Sequence, residues 1–126
     1  MKKCVATDKA PAAIGPYSQA VWTGDLLFLS GQIPLDPATG QMVGETAAEQ
    51  AERELENIAG ILASQGLTFA NVVKTTVFAV DMNDFASVNA VYAKRFENEP
   101  PARSFVQVAA LPKGARVEIE VIASRG

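Results

Sequence analysis

The sequence predicts an α/β (α+β) domain in which a mixed β-sheet carries two helices on one face. Three observations lead there. Two segments repeat their apolar residues at three- and four-residue intervals, short runs rich in β-branched residues alternate with them, and turn signals break the chain at regular distances. The 126 residues leave room for one core, so a single domain spanning residues 1–126 is expected. A chain of this size buries roughly two-thirds of its unfolded surface and needs no disulfide or metal as a staple. Its composition, 48% hydrophobic and 20% charged, is that of a globular protein.

In chain order, residues 20–22 and 26–30 are apolar runs on either side of Thr23-Gly24-Asp25, which reads as a hairpin. Asp36-Pro37-Ala38-Thr39-Gly40 is a turn by composition, because proline presets one dihedral and glycine permits a positive one. Thr46-Ala47-Ala48-Glu49 has the spacing of a capping box. Ala47, Ala51, Leu55, Ile58, Ala59 and Leu62 follow at helical spacing until Gly66, where a left-handed stop is cheap. Residues 72–80 are β-branched and apolar on both parities, as in a central strand buried on two faces. A second helix is expected after Asp81-Met82-Asn83, carrying Phe85, Val88, Tyr92 and Phe96 and ending before Pro100-Pro101. Residues 103–108 and 117–123 then alternate as strands around a loop containing Pro112 and Gly114. Right-handed crossovers would set both helices on one side and leave the other face of the sheet to another subunit, so an oligomer is expected.

Charge and residue usage exclude whole classes of function. Eleven Lys and Arg against fourteen Asp and Glu give a net charge of −3, so no global positive field attracts nucleic acid or anionic lipid. The chain has no histidine, which removes Ser-His-Asp, Cys-His and His-zinc designs. Its nine glycines never fall two apart and none precedes a lysine, so neither the dinucleotide fingerprint nor the phosphate-binding loop is present. The one cysteine, Cys4, cannot close an intrachain disulfide and fits a reducing, cytoplasmic setting. Polar residues Thr7, Asp8 and Lys9 interrupt any leader-like apolar stretch, and no run has the length of a membrane span.

Several residues remain that a core does not explain. On the last two strands the apolar parity of Val106 and Val108 with Val117, Ile119 and Val121 leaves Arg103, Phe105 and Gln107 in phase with Glu118 and Glu120. If those strands pair, a guanidinium and two carboxylates share the sheet face opposite the helices, either as solvated ion pairs or as a site. Arg103, stiffened by Pro100-Pro101-Ala102, is the natural anion clamp, because a planar guanidinium holds a carboxylate by two parallel hydrogen bonds. Glu118 or Glu120 can orient or deprotonate a water if burial raises its pKa. Asn89 falls between Phe85 and Tyr92 on the apolar arc, and a buried amide needs a partner, whether backbone or ligand. Tyr17 in Gly15-Pro16-Tyr17 and Ser30 in Ser30-Gly31-Gln32 place hydroxyls beside permissive backbone, each a weak signal alone.

Together, Gly15-Pro16-Tyr17-Ser18-Gln19-Ala20, Ser30-Gly31-Gln32-Ile33-Pro34, Val73-Lys74-Thr75-Thr76-Val77, Asn83-Asp84-Phe85 through Asn89, Pro101-Ala102-Arg103-Ser104, Leu111-Pro112 and Val117-Glu118-Ile119-Glu120 closely resemble the RidA/YjgF family along nearly the whole chain. The resemblance implies a fold like that of the bacterial chorismate mutases, a homotrimer with clefts between subunits, and hydrolysis of reactive 2-imino acids and their enamine tautomers to 2-oxo acids and ammonia. It further implies that Arg103 binds the substrate carboxylate and Glu118 positions the attacking water, while Tyr17, Ser30, Gly31 and Asn89 line the cleft. Phe105 departs from the pattern, standing where many members have cysteine; its backbone N–H is kept, a thiol's role is not, and its ring bears on substrate range. No metal and no cofactor are implied, since an imine carbon is already electrophilic and needs only orientation, a water-positioning carboxylate and a clamp. Two other readings use the same residues or relatives: a non-catalytic regulator or chaperone-like protein that binds 2-oxo acids or amino acids, and a ribonuclease or translation inhibitor.

Overall fold

Residues 20–30 make the predicted hairpin, with Gly24 at φ 56° turning the chain between β2 (Ala20–Thr23) and β3 (Leu26–Leu29). The computed structural model describes residues 1–126. A further strand, β1 (Lys2–Val5), lies antiparallel along β2. The sequence reading did not find it, for a physical reason: Lys2, Lys3 and Cys4 are all exposed on an edge strand that shows no alternation to read.

Helix α1 (Ala47–Ser64) begins as its capping box requires: Thr46 Oγ1 accepts from the Glu49 N–H at 3.1 Å, and the Glu49 carboxylate accepts from the Thr46 N–H at 3.1 Å. Gly66 follows at φ 73°. Strand β4 (Val72–Ala79) leads through a short turn, Met82–Asp84, into α2 (Phe85–Ala93), and β5 (Ala102–Gln107) runs parallel to β4. This is a βαβ crossover. Helix α2 ends three residues before Phe96, because the Arg95 N–H bonds the Tyr92 carbonyl and the Phe96 N–H the Ala93 carbonyl, tightening the last turn. Phe96 is buried all the same.

The sheet order is β1-β2-β3-β6-β4-β5, with β6 (Val117–Ser124) antiparallel to both β3 and β4. Both helices cover one face. Leu55, Ile58, Ile61 and Leu62 of α1 join Leu27, Val77, Ile119 and Val121 of the sheet in one buried cluster. The opposite face carries Leu26, Phe28 and Val106 exposed.

Two expectations are corrected here. Strand β4 is internal but stands next to the edge, and only its Thr75, Val77 and Ala79 side is fully buried, while Lys74, Thr76 and Phe78 are half-exposed. Strands β5 and β6 do not pair, because β4 lies between them. Register then separates the charges: Arg103 and Phe105 sit beside Thr75 and Val77 on the helix side, whereas Glu118 and Glu120 sit beside Phe78 and Thr76 on the open side. Alternation fixes the faces within each strand, but the phase between two strands depends on register, which an intervening strand resets.

Candidate active site

The candidate residues fall into two groups on opposite faces of the sheet. The carboxylate group is organised by residues 30–35, which leave β3 and bridge to β6. The Gln32 N–H donates to the Ile119 carbonyl at 2.8 Å and the Ile119 N–H returns a bond to the Gln32 carbonyl at 3.2 Å. This brings Gly31 against Glu118, where a Cβ at position 31 would collide with the Glu118 carboxylate. A larger residue at position 31 would force the Glu118 carboxylate out of this position. Ser30 is held twice, its N–H donating to the Gln19 carbonyl at 2.9 Å and its hydroxyl to the Ser18 carbonyl at 2.6 Å. The hydroxyl oxygen keeps its acceptor capacity.

Ser30, Gly31 and Glu118 open into a cavity of about 500 Å³, walled also by Ile14, Tyr17 and Lys113. Tyr17 is 53% exposed on a segment pinned from behind by the buried Gln19 side chain. The Gln19 amide donates to the Thr7 carbonyl at 2.9 Å and the Pro11 carbonyl at 2.8 Å, and accepts from the Thr7 N–H at 2.6 Å. Half-burial and then the neighbouring charge of Glu120 raise the Glu118 pKa above the ordinary carboxylate value. Beneath it on α1 lies Glu54, 0% exposed, with neither carboxyl oxygen hydrogen-bonded. Burial foremost, and the Glu118 charge second, hold the Glu54 pKa well above normal, which favours its protonated form.

The cationic group lies at the sheet edge. Arg103 on β5 donates from Nη1 to Asn89 Oδ1 at 2.6 Å. Its guanidinium carbon stands 4.8 Å from the Tyr92 ring centre, 5.5 Å from Phe105 and 5.7 Å from Phe85. Tyr92 is itself fixed by a 2.7 Å bond between its hydroxyl and Thr75 Oγ1. Burial, against the Thr75 bond and the Arg103 charge, keeps the Tyr92 pKa above the ordinary tyrosine value. The guanidinium has no carboxylate partner within ion-pair distance, and it carries five N–H donors in a fixed fork. Such a group is able to bind an external oxyanion such as a carboxylate.

The structure thus brings Tyr17, Ser30, Gly31 and Glu118 together in one cavity, and Asn89, Arg103 and Phe105 together in another place. It does not join the two groups within one chain. Glu120 lies outside the residues that wall the cavity. Sequence reasoning missed Gln19, Lys113 and Glu54. Gln19 was legible only as part of a local motif, and Glu54 only as one acidic residue on the buried arc of α1.

The chain matches the family model described as endoribonuclease L-PSP over residues 7–125. It is 55% identical to Protein DfrA of Myxococcus xanthus over 97% of this chain and 95% of that protein. It is 54% identical to the 2-iminobutanoate/2-iminopropanoate deaminase of Bos taurus over 100% of this chain and 92% of that one. Among solved structures, Escherichia coli TdcF with bound serine superposes with a TM-score of 0.93 at 46% identity, covering 98% of this chain and 99% of that one.

Proposed function

The chain belongs to the family described as endoribonuclease L-PSP, the RidA/YjgF family, and from that premise we propose that it is a cytoplasmic 2-iminobutanoate/2-iminopropanoate deaminase. It hydrolyses 2-imino acids and their enamine tautomers to 2-oxo acids and ammonia. The Arg103 fork takes the substrate carboxylate and orients C2. Glu118, its pKa raised above the ordinary carboxylate value, holds a water and accepts its proton as the oxygen bonds to C2. The protonated imine becomes a neutral carbinolamine, Glu118 passes that proton to its nitrogen, the C–N bond breaks, and ammonia leaves as the C2 hydroxyl gives its proton back to the Glu118 carboxylate and becomes the oxo group. The Ser30 and Tyr17 hydroxyls and the Gly31 backbone line the approach to the imine nitrogen. No metal or organic cofactor enters any step.

One observation carries the assembly. Arg103 and Glu118 lie two strands apart on opposite faces of one sheet, so a single chain cannot present both to a molecule as small as an imino acid. A homotrimer supplies both, the edge strand of one subunit closing the Glu118 cavity of the next, and the exposed Leu26, Phe28 and Val106 give the open face something to bury. The ribonuclease chemistry named in the family description has no histidine to use here, and the net charge of −3 gives no overall attraction for nucleic acid.

Subunit mixing tests this reading. Arg103→Ala and Glu118→Gln trimers, each retaining at most about a hundredth of native activity, are dissociated together and reassembled. If each site takes Arg103 from one subunit and Glu118 from its neighbour, about a quarter of sites in a random mixture regain both groups, and imine hydrolysis returns to that level. No recovery means that one chain furnishes both residues and the shared site is wrong.

A further inference from the structure

Phe85 and Phe105 form a tilted aromatic pair with ring centres 4.7 Å apart at the mouth of the Arg103 group. Their situation differs from that of the third ring. Tyr92 is buried, with its hydroxyl occupied by Thr75, and serves as the floor beneath the guanidinium. Phe85 is 40% exposed and Phe105 half-exposed, so the pair offers an apolar surface to whatever binds beside Arg103. An apolar pair left open next to an unpaired cation is a recognition surface for a molecule carrying both a charge and an apolar body.

The chemistry of the substrate decides which part meets it. A 2-imino acid has three groups around C2: the carboxylate, the imine nitrogen and the side chain. With the carboxylate on the Arg103 fork and C2 turned toward the water on Glu118, the side chain is the part left to lie along the wall beside the fork. Both rings stand within 6 Å of the guanidinium carbon, at 5.5 and 5.7 Å. A methyl side chain scarcely extends beyond the carboxylate, whereas a branched chain or a ring reaches across to the pair. A charged or amide side chain gains nothing there, because the rings offer it no hydrogen-bond partner.

We infer that the Phe85–Phe105 pair is the surface that receives the substrate's side chain, and that the preferred substrates are 2-imino acids with long apolar or aromatic side chains. The inference rests on the deaminase reading above and names the substrate class of that same site. Phe105 is thereby a specificity-determining residue, acting through the bulk of its ring.

The test compares imines released in situ from leucine, phenylalanine and alanine by a broad-specificity amino acid oxidase, with a carbonyl-trapping nucleophile competing for each. For the native trimer, kcat/KM for the leucine- and phenylalanine-derived imines exceeds that for the alanine-derived imine about tenfold or more, the range expected for added methylenes in an apolar pocket. Phe105→Ala lowers that ratio about tenfold, and Phe105→Leu restores part of it. Equal rates across the three imines overturn the inference, and so does a Phe105→Ala variant that slows all three alike, which would make the ring a support for Arg103 or for assembly. Calorimetric binding of 4-methyl-2-oxopentanoate against pyruvate separates this inference from the deaminase reading. A protein that binds the larger oxo acid about tenfold more tightly yet hydrolyses no imine keeps the apolar pair and loses the enzyme, and equal binding of the two acids overturns the pair whatever the hydrolysis.

Discussion

The two groups of site residues are built on opposite electrostatic plans. Around Arg103 the protein supplies stabilisation in advance: one amide acceptor at 2.6 Å, three ring faces within 6 Å and no competing carboxylate. Around Glu118 it opposes ionisation, first by half-burial and then by the charge of Glu120, and Glu118 in turn adds to the burial that raises the Glu54 pKa. In the proposed deaminase the difference follows from the tasks. A clamp must keep its charge at every pH and needs orientation, whereas a base must exchange a proton near working pH and needs its pKa moved. One site therefore demands two environments, and a sheet separates them by putting them on its two faces.

The largest effect belongs to the clamp. Arg103→Ala leaves a desolvated substrate carboxylate without its partner, a loss of about 2 to 5 kcal/mol, or roughly thirtyfold to several thousandfold in affinity. Arg103→Lys recovers only a fraction, because an ammonium is a point charge and cannot reproduce the fork. The measurement is 2-oxo acid binding together with KM for the imine. Affinity within threefold of the native protein in Arg103→Ala would break the comparison, since the preformed cation would then not be the recognition element.

The base responds in kcat and in pH. Glu118→Gln keeps size and an acceptor oxygen but cannot take a proton, so turnover at saturating substrate falls about a hundredfold, the lower range of general-base contributions, while binding is largely kept. Because its pKa is raised, Glu118 is protonated and inactive at pH values where an ordinary carboxylate is ionised, and native activity is lost as pH falls through that raised value. Removing the second cause with Glu120→Gln moves the acid limb to lower pH without abolishing turnover. A limb that stays in place shows that Glu120 does not act on Glu118. If Glu120→Gln damages turnover more than Glu118→Gln, the two residues have been assigned in the wrong order.

How much of this was legible in the sequence divides along the same line. Local signals held: the Thr46–Glu49 cap, the hairpin at Gly24 and the helix carrying Asn89 all stand where spacing placed them. The Arg103–Asn89 contact was within reach too, since Asn89 lay on the apolar arc and needed a partner. The placement of Glu118 against Arg103 was not legible. Alternation on β5 and β6 is a property of each strand alone, and β4, from a distant part of the chain, enters between them and reverses the relation. Likewise the close approach of Gly31 to Glu118 depends on a bridge between residues 32 and 119, which no local pattern encodes.

The smallest effect concerns stability, and it asks whether the burden on the carboxylate side is real. Glu54 lies buried with both oxygens unbonded, and its pKa is raised by burial first and by the Glu118 charge second. In the unfolded chain it ionises in the ordinary carboxylate range. The folded state therefore binds this proton more tightly than the unfolded state does, and by linkage folding stability declines as pH rises from the unfolded value toward the raised folded one. Glu54→Leu has nothing to protonate and fills a similar volume, and replacing an uncompensated buried polar group in this way is neutral to stabilising. The expected gain is about 1 kcal/mol, or roughly 3 to 5 °C in Tm, at pH 8, and it shrinks as pH falls toward 4, where the ionisation part of the difference disappears and only the unbonded neutral carboxyl remains. Thermal unfolding of the two proteins across that range checks it. In a Glu118→Gln background the second cause is gone, so the pH dependence of the difference should become shallower. A difference in Tm that stays constant from pH 4 to pH 8 would show that Glu54 does not hold its proton against solvent, and the electrostatic contrast between the two faces would then rest on Glu118 and Glu120 alone.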